Sequence, residues 1–284
     1  MSQQFYMSIL VFSFLLLAGS ILAGFLGSLT GLGGGVILTP LLTLVFHVDI
    51  RYAIGCSLIA SIATSSGAAV AYVREGITNM RLGMFLEIAT TCGAVAGAIL
   101  AIYTPTHLVA IIFGFILVFS SIMSMRRHVE PAYPGHESKL AIALKLNSQY
   151  PTKEGIISYN VSNVAGGFVM MGFAGVLSGL LGIGSGALKV LAMDLIMKIP
   201  FKVSTTTSNF MIGVTASASA VVYFQRGYID AGLSMPVVLG VLAGAFIGSH
   251  VLIRTGGKWI KLVFNFIILF MAIEMIYNGL KGNI

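Results

Sequence analysis

Two glycine-rich runs in the sequence have the residue types and the spacing that could bind an anion. They read GLGGG at residues 31–35 and GIGSG at residues 182–186, and each separates a long apolar stretch from a shorter one. Glycine lets a ligand approach the backbone closely, and the first turn of a helix leaves about four N–H groups unpaired. If helices begin near Val36 and Ala187, each would present these N–H groups and about half a positive charge. The alternative is that the glycines only allow helices to pack closely.

A stretch rich in hydroxyl side chains follows each glycine run. It reads CSLIASIATSS at residues 56–66 and STTTSNFMIGVTASAS at residues 204–219. Single hydroxyls in a helix often bond to their own backbone, but a cluster that includes a buried asparagine needs further hydrogen-bond partners. We therefore expect these stretches to line a polar site, with contacts between helices as the alternative.

Lys189 is the strongest ionisable candidate, because charged residues within long apolar segments mark functional sites. It comes three residues after Gly186, where a cation is unfavourable unless an anion lies nearby. We expect Lys189 to contact a substrate. The alternatives are that its ammonium group reaches the membrane surface or pairs with Asp194.

Glu87 also lies inside an apolar segment, and two roles are open for it. It could carry a coupling proton, or it could pair with Arg81 or Arg74 near the membrane surface, and the pairing is the favoured expectation. Glu274 lies in the last apolar segment, and the sequence assigns it no role.

The candidate binding residues follow from these patterns. They are Gly31, Gly33, Gly34, Gly35, Ser57, Gly182, Gly184, Ser185, Gly186, Lys189, Thr206, Thr207, Ser208 and Asn209. No catalytic residue, metal site or cofactor is predicted, since HExxH, GxSxG, CxxC and the lysine of a phosphate-binding loop are absent from the sequence. We therefore do not expect an enzyme.

The composition requires these residues to lie in a membrane. Of the 284 residues, 57% are hydrophobic and only 9% are charged, whereas a soluble domain carries about 25% charge. An all-α polytopic protein with about ten transmembrane segments, eight long and two short, is predicted. The long apolar stretches are 7–30, 52–73, 82–102, 107–125, 159–181, 203–224, 232–253 and 260–280, and the short ones are 36–46 and 187–197. The net charge of +7 lies in the loops, so it does not indicate nucleic-acid binding.

An internal repeat relates the two glycine runs. With an offset of 151 residues and no gap, residues 24–97 match residues 175–248 at 19 of 74 positions. We therefore predict a first membrane repeat at 1–125, a linker at 126–158 and a second repeat at 159–284.

The basic residues predict how the two repeats lie in the membrane. If the short segments cross, 12 Lys and Arg residues fall on one side and 3 on the other, whereas eight crossings divide them 9 against 6. Because cytoplasmic loops are enriched in Lys and Arg, ten crossings in two inverted repeats are favoured. The linker is then cytoplasmic and both termini lie outside.

The repeated motifs resemble those of a known transporter family. GSLTGLGGGVILTPLL followed by IGCSLIA, together with GLLGIGSGALKVLAMDLIMKIPFKVSTTTSNFMIGVTA, is similar to the TauE/SafE sulfite exporter family, also called the TSUP permeases. The resemblance covers nearly the whole chain. It implies a secondary carrier for small sulfur-containing anions, coupled to the proton gradient. The chain departs from the family pattern at Ser185, usually glycine, and at Leu191, where the first repeat keeps Pro40.

The sequence therefore predicts a carrier of the sulfite or organosulfonate class in the cytoplasmic membrane, working by alternating access between the two halves. The expected partners are this small anion and the lipid bilayer, a homo-oligomer remains open, and no nucleic acid is expected. The alternatives are a membrane scaffold or accessory protein that does not transport, and an anion channel.

Overall fold

The computed structural model describes residues 9–30, 34–74, 76–125, 138–152, 155–184, 186–254, 258–282 and 284. The protein is mostly helical. The elements before the linker are α1 (Ile9–Thr30), α2 (Gly35–Pro40), a π-helical turn (Leu41–Val45), α3 (Ile50–Arg74), α4 (Met80–Tyr103) and α5 (Thr106–Met125). The later elements are α6 (Lys139–Ala143), β1 (Ser148–Thr152), β2 (Gly155–Tyr159), α7 (Val164–Leu181), α8 (Gly186–Leu191), a second π-helical turn (Ala192–Ile196), α9 (Phe201–Gln225), α10 (Ala231–Arg254) and α11 (Lys258–Lys281).

Several of these helices can cross a bilayer. Among the described residues, four segments are long and apolar enough, and they are Met80–Tyr103, Thr106–Met123, Val164–Leu181 and Ala231–Gly248. A helix of 24 residues such as α4 is about 36 Å long, which exceeds the roughly 30 Å of hydrocarbon. The prediction of a multi-pass helical membrane protein is therefore confirmed, and the count of ten crossings stays a prediction.

The 151-residue offset also relates the boundaries of the elements. Helix α3 at 50–74 corresponds to α9 at 201–225, and α4 at 80–103 corresponds to α10 at 231–254. Even the left-handed backbone positions recur, with His47 (φ 53°) matching Lys198 (φ 58°) and Gly76 (φ 69°) matching Gly227 (φ 75°). The two halves therefore share a backbone plan.

The two short apolar segments are helical, and each begins and ends one residue earlier than predicted. They run from 35 to 45 and from 186 to 196, and each changes from α-helix to a π-helical turn halfway along. In the first half the π-helical turn follows Pro40, which lacks a backbone N–H. The same turn occurs after Leu191 in the second half, so the proline alone does not cause it.

Helices from opposite halves pack through glycine. A Cβ atom on Gly93 would lie 2.2 Å from the carbonyl oxygen of Gly172, and one on Gly244 would lie 2.0 Å from that of Ile21. No side chain fits at either position, so α4 packs backbone to backbone on α7, and α10 packs in the same way on α1. Gly93 and Gly244 therefore serve the close packing of these helices.

The corresponding helices α5 and α11 also pack on each other, in opposite directions. Thr106, at the start of α5, donates its hydroxyl to the carbonyl of Ile284 at 3.0 Å, beyond the end of α11. Ser121, near the end of α5, donates to the carbonyl of Asn265, near the start of α11, at 3.4 Å.

Contacts between loops define two ends of the helix bundle. At one, called here the Arg51 end, the Arg51 guanidinium donates to the carbonyl of Thr104 at 3.2 Å and lies 5.8 Å from the centre of the Tyr228 ring. At the other, called here the Asn79 end, the backbone N–H of Asn79 donates to Thr207 Oγ1 at 3.1 Å.

The linker folds against the Asn79 end. Its strands form an antiparallel hairpin in which Ser148 lies opposite Tyr159. The Asn79 amide donates to the carbonyl of Leu146 at 2.8 Å and to the Tyr159 hydroxyl at 2.9 Å. Burial raises the pKa of Tyr159 to about 12, so its hydroxyl stays protonated at neutral pH. The sequence did not predict this hairpin.

Candidate functional site

The two glycine runs meet inside the bundle. A Cβ atom on Gly35, at the start of α2, would lie 3.2 Å from the carbonyl oxygen of Gly182, at the end of α7. Gly182 has a left-handed backbone (φ 68°), and a Cβ atom there would lie 3.0 Å from Ser57 Oγ. The helix break of one half therefore contacts the helix break of the other half directly.

Ser57 connects the two halves at this contact. Its hydroxyl donates to the carbonyl of Gly182 at 2.8 Å and accepts a hydrogen bond from Thr39 Oγ1 at 2.9 Å. Both side chains are fully buried. The sequence predicted Ser57 but missed Thr39, which lies one helical turn after Gly35 and so faces the same side of the short helix.

Ser61 provides a hydroxyl beside Gly35. Its side chain is fully buried, and its Oγ has no hydrogen-bond partner among the described residues. A Cβ atom on Gly35 would lie 2.4 Å from this oxygen. Ser61 belongs to the predicted hydroxyl-rich stretch, one turn beyond Ser57, and that spacing was the signal that could have found it.

The second half contributes Ser208, Asn209 and Gly184 to the same region. Ser208 Oγ donates to the carbonyl of Gly186 at 3.1 Å. Asn209 is 5% exposed. Gly184 has a left-handed backbone (φ 65°) and packs against Ile212.

Other predicted residues have different partners in this structure. Thr207 accepts the N–H of Asn79, and Thr206 donates to the backbone of its own helix, to Lys202 and Val203. The N–H of Gly182 caps α7 by donating to the carbonyl of Ser178 at 2.8 Å. That N–H is therefore not free for a ligand here.

Not all of the predicted glycine-run residues are among those that the structure describes. Gly31, Gly33 and Ser185 lie outside the described residues. Gly34 is described and precedes α2, where its carbonyl accepts the N–H groups of Ile37 and Leu38.

Lys189 is fully buried and belongs to a polar group that we call the charged triad: Glu87, Thr215 and Lys189. Lys189 Nζ donates to Thr215 Oγ1, and Thr215 Oγ1 lies 2.6 Å from Glu87 Oε1. Because its side chain has no exposed surface, the Lys189 ammonium does not reach the membrane surface. It is connected to Glu87 through one hydroxyl.

The expected pairing of Glu87 with Arg81 is wrong. Arg81 donates to the carbonyl of Lys145 at 3.2 Å, whereas Glu87 Oε1 accepts from Thr215 and from Thr91 at 3.2 Å. The second carboxyl oxygen, Glu87 Oε2, is buried and has no partner among the described residues. The side chain of Arg74 lies outside the described residues.

The charged triad joins the two halves and is not repeated, because Glu87 comes from the first half whereas Thr215 and Lys189 come from the second. The residues that correspond to Lys189, Thr215 and Glu87 by the 151-residue offset are Leu38, Thr64 and Val238. Thr64 donates to the carbonyl of Ala60 in its own helix. The repeat therefore has Glu87 and Lys189 at one pair of these positions and the apolar side chains of Val238 and Leu38 at the corresponding pair.

A metal site is not visible in the part of the chain that the structure describes. No group of three or more His, Cys, Asp or Glu residues there could hold an ion. The polar groups around the glycine breaks are hydroxyls, an amide and one lysine, which suit an anion better than a hard cation that prefers carboxylate ligands.

Most of the sequence matches a known family of proteins. The family model described as sulfite exporter TauE/SafE matches residues 16–275. The chain belongs to the TauE/SafE family. This is a family of membrane transporters, so its members act on a transported solute.

Related TauE/SafE-type proteins are similar along almost the full chain. The probable membrane transporter protein YunE of Bacillus subtilis is 27% identical over 269 residues, which are 92% of this chain and 96% of the relative. YdhB of the same organism is 28% identical over 244 residues, 86% and 89% of the two chains. MJ0441 of Methanocaldococcus jannaschii is 21% identical over 280 residues, 92% and 94%. No solved structure matches the chain.

Proposed function

We propose that this protein is a secondary transporter of small sulfur-containing anions of the sulfite or organosulfonate class. It would carry them across the cytoplasmic membrane by alternating access between two inverted halves, coupled to the proton gradient. The family supports transport, and its name supports the substrate class. The observation that carries the proposal is the direct contact of Gly35 with Gly182, surrounded by buried hydroxyls.

The proposed inverted arrangement has support from the ends of the helices. The N–H of Ser162, before α7, donates to the carbonyl of Met197, just after the second short segment, at 3.0 Å. The short segment therefore returns to the end where α7 begins, as a full crossing requires. The opposite directions of α5 and α11 agree with two halves that enter the membrane from opposite sides.

We further propose that the Asn79 end is cytoplasmic. The described linker residues Lys139 and Lys145 belong to this end, as do Lys198, just before α9, and Lys202, in the first turn of α9. An excess of Lys and Arg on one side is typical of cytoplasmic loops. With five crossings in each half, both termini would lie outside.

The proposed binding site lies where the two glycine runs meet. Backbone N–H groups of residues 31–35 and of residues 183–186, beyond the Gly182 N–H that caps α7, would bind the anion. The hydroxyls of Ser57 and Ser61 and the amide of Asn209 would orient it, and Lys189 would supply charge. Oxyanions of sulfur carry several acceptor oxygens, which matches a site made of donors.

Burial of these side chains favours a carrier over a permanently open channel. Ser57, Ser61 and Lys189 have no exposed surface. An anion can reach them only if the helices around them separate, first on one side and then on the other. Such opening on one side at a time is what alternating access means for this protein.

Uptake by reconstituted vesicles tests the proposal. Purified protein in liposomes preloaded with unlabelled sulfite should accumulate ³⁵S-sulfite by counterflow, with saturation, and taurine, sulfoacetate and acetate should be compared as competitors. A channel gives flux without saturation or counterflow. A scaffold gives no flux above that of protein-free liposomes, and either result overturns the proposal.

A further inference from the structure

We propose that Glu87 is the site of the coupled proton, and that protonation of Glu87 releases Lys189 to bind the transported anion. This inference rests on the proposed function and deepens it, because it names the residue and the charge change that connect the proton to the anion.

The hydrogen bonds of the charged triad match an ionised Glu87 beside a charged Lys189. An ionised carboxylate only accepts hydrogen bonds, and an ammonium only donates them. The Thr215 hydroxyl, with one proton and two lone pairs, can donate to Glu87 Oε1 and accept from Lys189 Nζ at the same time. These contacts fit a neutral pair in which Lys189 is connected to Glu87 through the Thr215 hydroxyl.

The unpartnered oxygen of Glu87 is where a proton can bind. Oε1 accepts hydrogen bonds from Thr215 and Thr91, whereas Oε2 is buried and has no partner among the described residues. A buried acceptor without a partner is unfavourable. A proton on Oε2 turns this atom into a donor and removes the negative charge, while Oε1 keeps both of its hydrogen bonds.

Lys189 is the charged group that faces Glu87 from the neighbouring helices. Helix α7, which packs along α4, has no ionisable side chain in its sequence. Helix α9 carries Lys202 in its first turn and Tyr223 near its far end, where the Tyr223 hydroxyl donates to the carbonyl of Gly179 at 3.2 Å. Helix α8 contributes Lys189, whose charge attracts that of Glu87. The π-helical turn after α8 carries Asp194, which has contacts of its own.

The other ionisable residues on α4 lie elsewhere along the helix. Arg81 donates to the linker at the Asn79 end. Cys92 is exposed on the outer surface, and Tyr103, at the opposite end of the helix, is 74% exposed. None of them can replace Lys189 as the counter-charge of Glu87.

Charge balance then links the proton to the anion. An anion that joins Lys189 while Glu87 is ionised gives the buried site a net charge of −1, which an apolar interior strongly disfavours. A proton taken from water onto Glu87 Oε2 restores neutrality, and it leaves from the same atom when the anion leaves on the other side. Only an O–H bond forms and breaks, and nothing is oxidised or reduced. The empty site and the site that holds both the proton and the anion are both neutral, and only these two forms switch between the two sides of the membrane. One proton and one monovalent anion therefore move in the same direction.

The repeat gives independent support for a coupling role. The positions that correspond to Lys189 and Glu87 by the 151-residue offset, Leu38 in the first half and Val238 in the second, are apolar, so the shared fold does not need an ion pair there. A buried pair that only stabilised the fold would gain little over apolar side chains of similar size.

The test uses the full-length protein in liposomes that contain a pH-sensitive dye, with ³⁵S-sulfite as the probe. In the wild type, an inward sulfite gradient should acidify the lumen, with about one proton per monovalent anion. In Glu87→Gln, which imitates the protonated carboxyl, sulfite counterflow should continue at a rate independent of pH, and proton flux should fall about tenfold or more. Glu274→Gln, a matched change of an intramembrane carboxyl that contacts Asn278 on its own helix, should behave as the wild type.

Several results would overturn the inference. The first is that Glu87→Gln moves protons at the wild-type ratio of protons to sulfite. The second is that a Glu87→Gln protein which elutes as a folded species loses sulfite counterflow. If that variant does not fold, sulfite is titrated into the wild type by calorimetry in buffers of different ionisation enthalpy. Binding should take up about one proton per anion, and binding without proton uptake contradicts the proposal. Net sulfite uptake by the wild type without proton movement overturns the coupling alone, whereas absence of any sulfur-anion flux overturns the proposed function as well.

Discussion

The two short helical segments, 35–45 and 186–196, share a backbone but not their chemistry. Each begins at a glycine run, changes to a π-helical turn at the same place and ends before a left-handed residue, His47 or Lys198. The first carries Leu38 where the second carries Lys189. The comparison teaches that the repeated scaffold is set by glycines and helix lengths, while charge is added to one copy alone. The predictions below test that division.

The largest expected effect comes from Lys189→Met, which gives the second segment an apolar side chain where the first has Leu38. Glu87 then becomes a buried carboxylate without its counter-charge, and breaking such a pair costs about 3–5 kcal/mol. Sulfite counterflow should be lost, and the melting temperature in detergent should fall. Leu38→Met, the same side chain at the corresponding position of the first half, should retain both. Wild-type counterflow in Lys189→Met would show that the charge is not used.

A double variant separates stability from transport. Glu87→Gln with Lys189→Met removes both charges, so its melting temperature should recover most of the loss seen in Lys189→Met, because a neutral pair of similar size is about as stable as the ion pair. Transport should stay absent, because the anion has no cation. A double variant less stable than Lys189→Met would contradict the pairing of these two residues.

Gly93→Ala and Gly244→Ala, at corresponding positions of the two halves, should each lower the stability by a smaller amount. The two losses should be equal. Each new Cβ would meet a backbone carbonyl at 2.2 or 2.0 Å, so the helices must move apart at a cost of about 1–3 kcal/mol. Gly172→Ala is the control, since nothing lies within 4 Å of its Cβ position. Thermal unfolding of the three variants checks the prediction, and markedly unequal losses for the first two would argue against a shared scaffold.

Ser61→Ala should weaken binding by less. Its hydroxyl has no partner among the described residues, so we expect the stability to be unchanged and the sulfite affinity to fall by about 0.5–1.5 kcal/mol, or roughly 2- to 13-fold. Ser66→Ala is the control on the same helix, because the Ser66 side chain is exposed and bonds to Ile62 of its own backbone. Equal affinities for Ser61→Ala and Ser66→Ala would remove Ser61 from the proposed site.

The smallest effect is expected from Pro40→Leu, which gives the first segment the residue of the second. The π-helical turn forms after Leu191 without a proline, so the first turn should survive as well. The melting temperature and counterflow rate should both stay close to those of the wild type. A clear loss of either would mean that the two turns have different causes.

The sequence alone predicted the elements that depend on local pattern. Glycine runs and apolar lengths placed the two short helices to within one residue, and the 151-residue offset reappears in the helix boundaries. Ser57 could be predicted because it recurs as Ser208. These features lie within one segment or repeat at a fixed spacing.

What the sequence could not predict depends on contacts between distant segments. Glu87 was expected to pair with the nearby Arg81. Because α4 packs on α9, the Glu87 carboxyl accepts a hydrogen bond from Thr215 instead. Thr207 looked like a site residue, yet its hydroxyl accepts the N–H of Asn79. The linker hairpin has no alternating apolar pattern, because β2 is exposed except at Tyr159.

Locating the bound anion tests the central claim most directly. Selenite imitates sulfite and scatters X-rays anomalously, so a crystal grown with it would report the position of the anion. The account predicts an anomalous peak where the two glycine runs meet, within reach of Lys189, and no peak in Lys189→Met. A peak at the Arg51 end or on the linker, with none between the glycine runs, would contradict it.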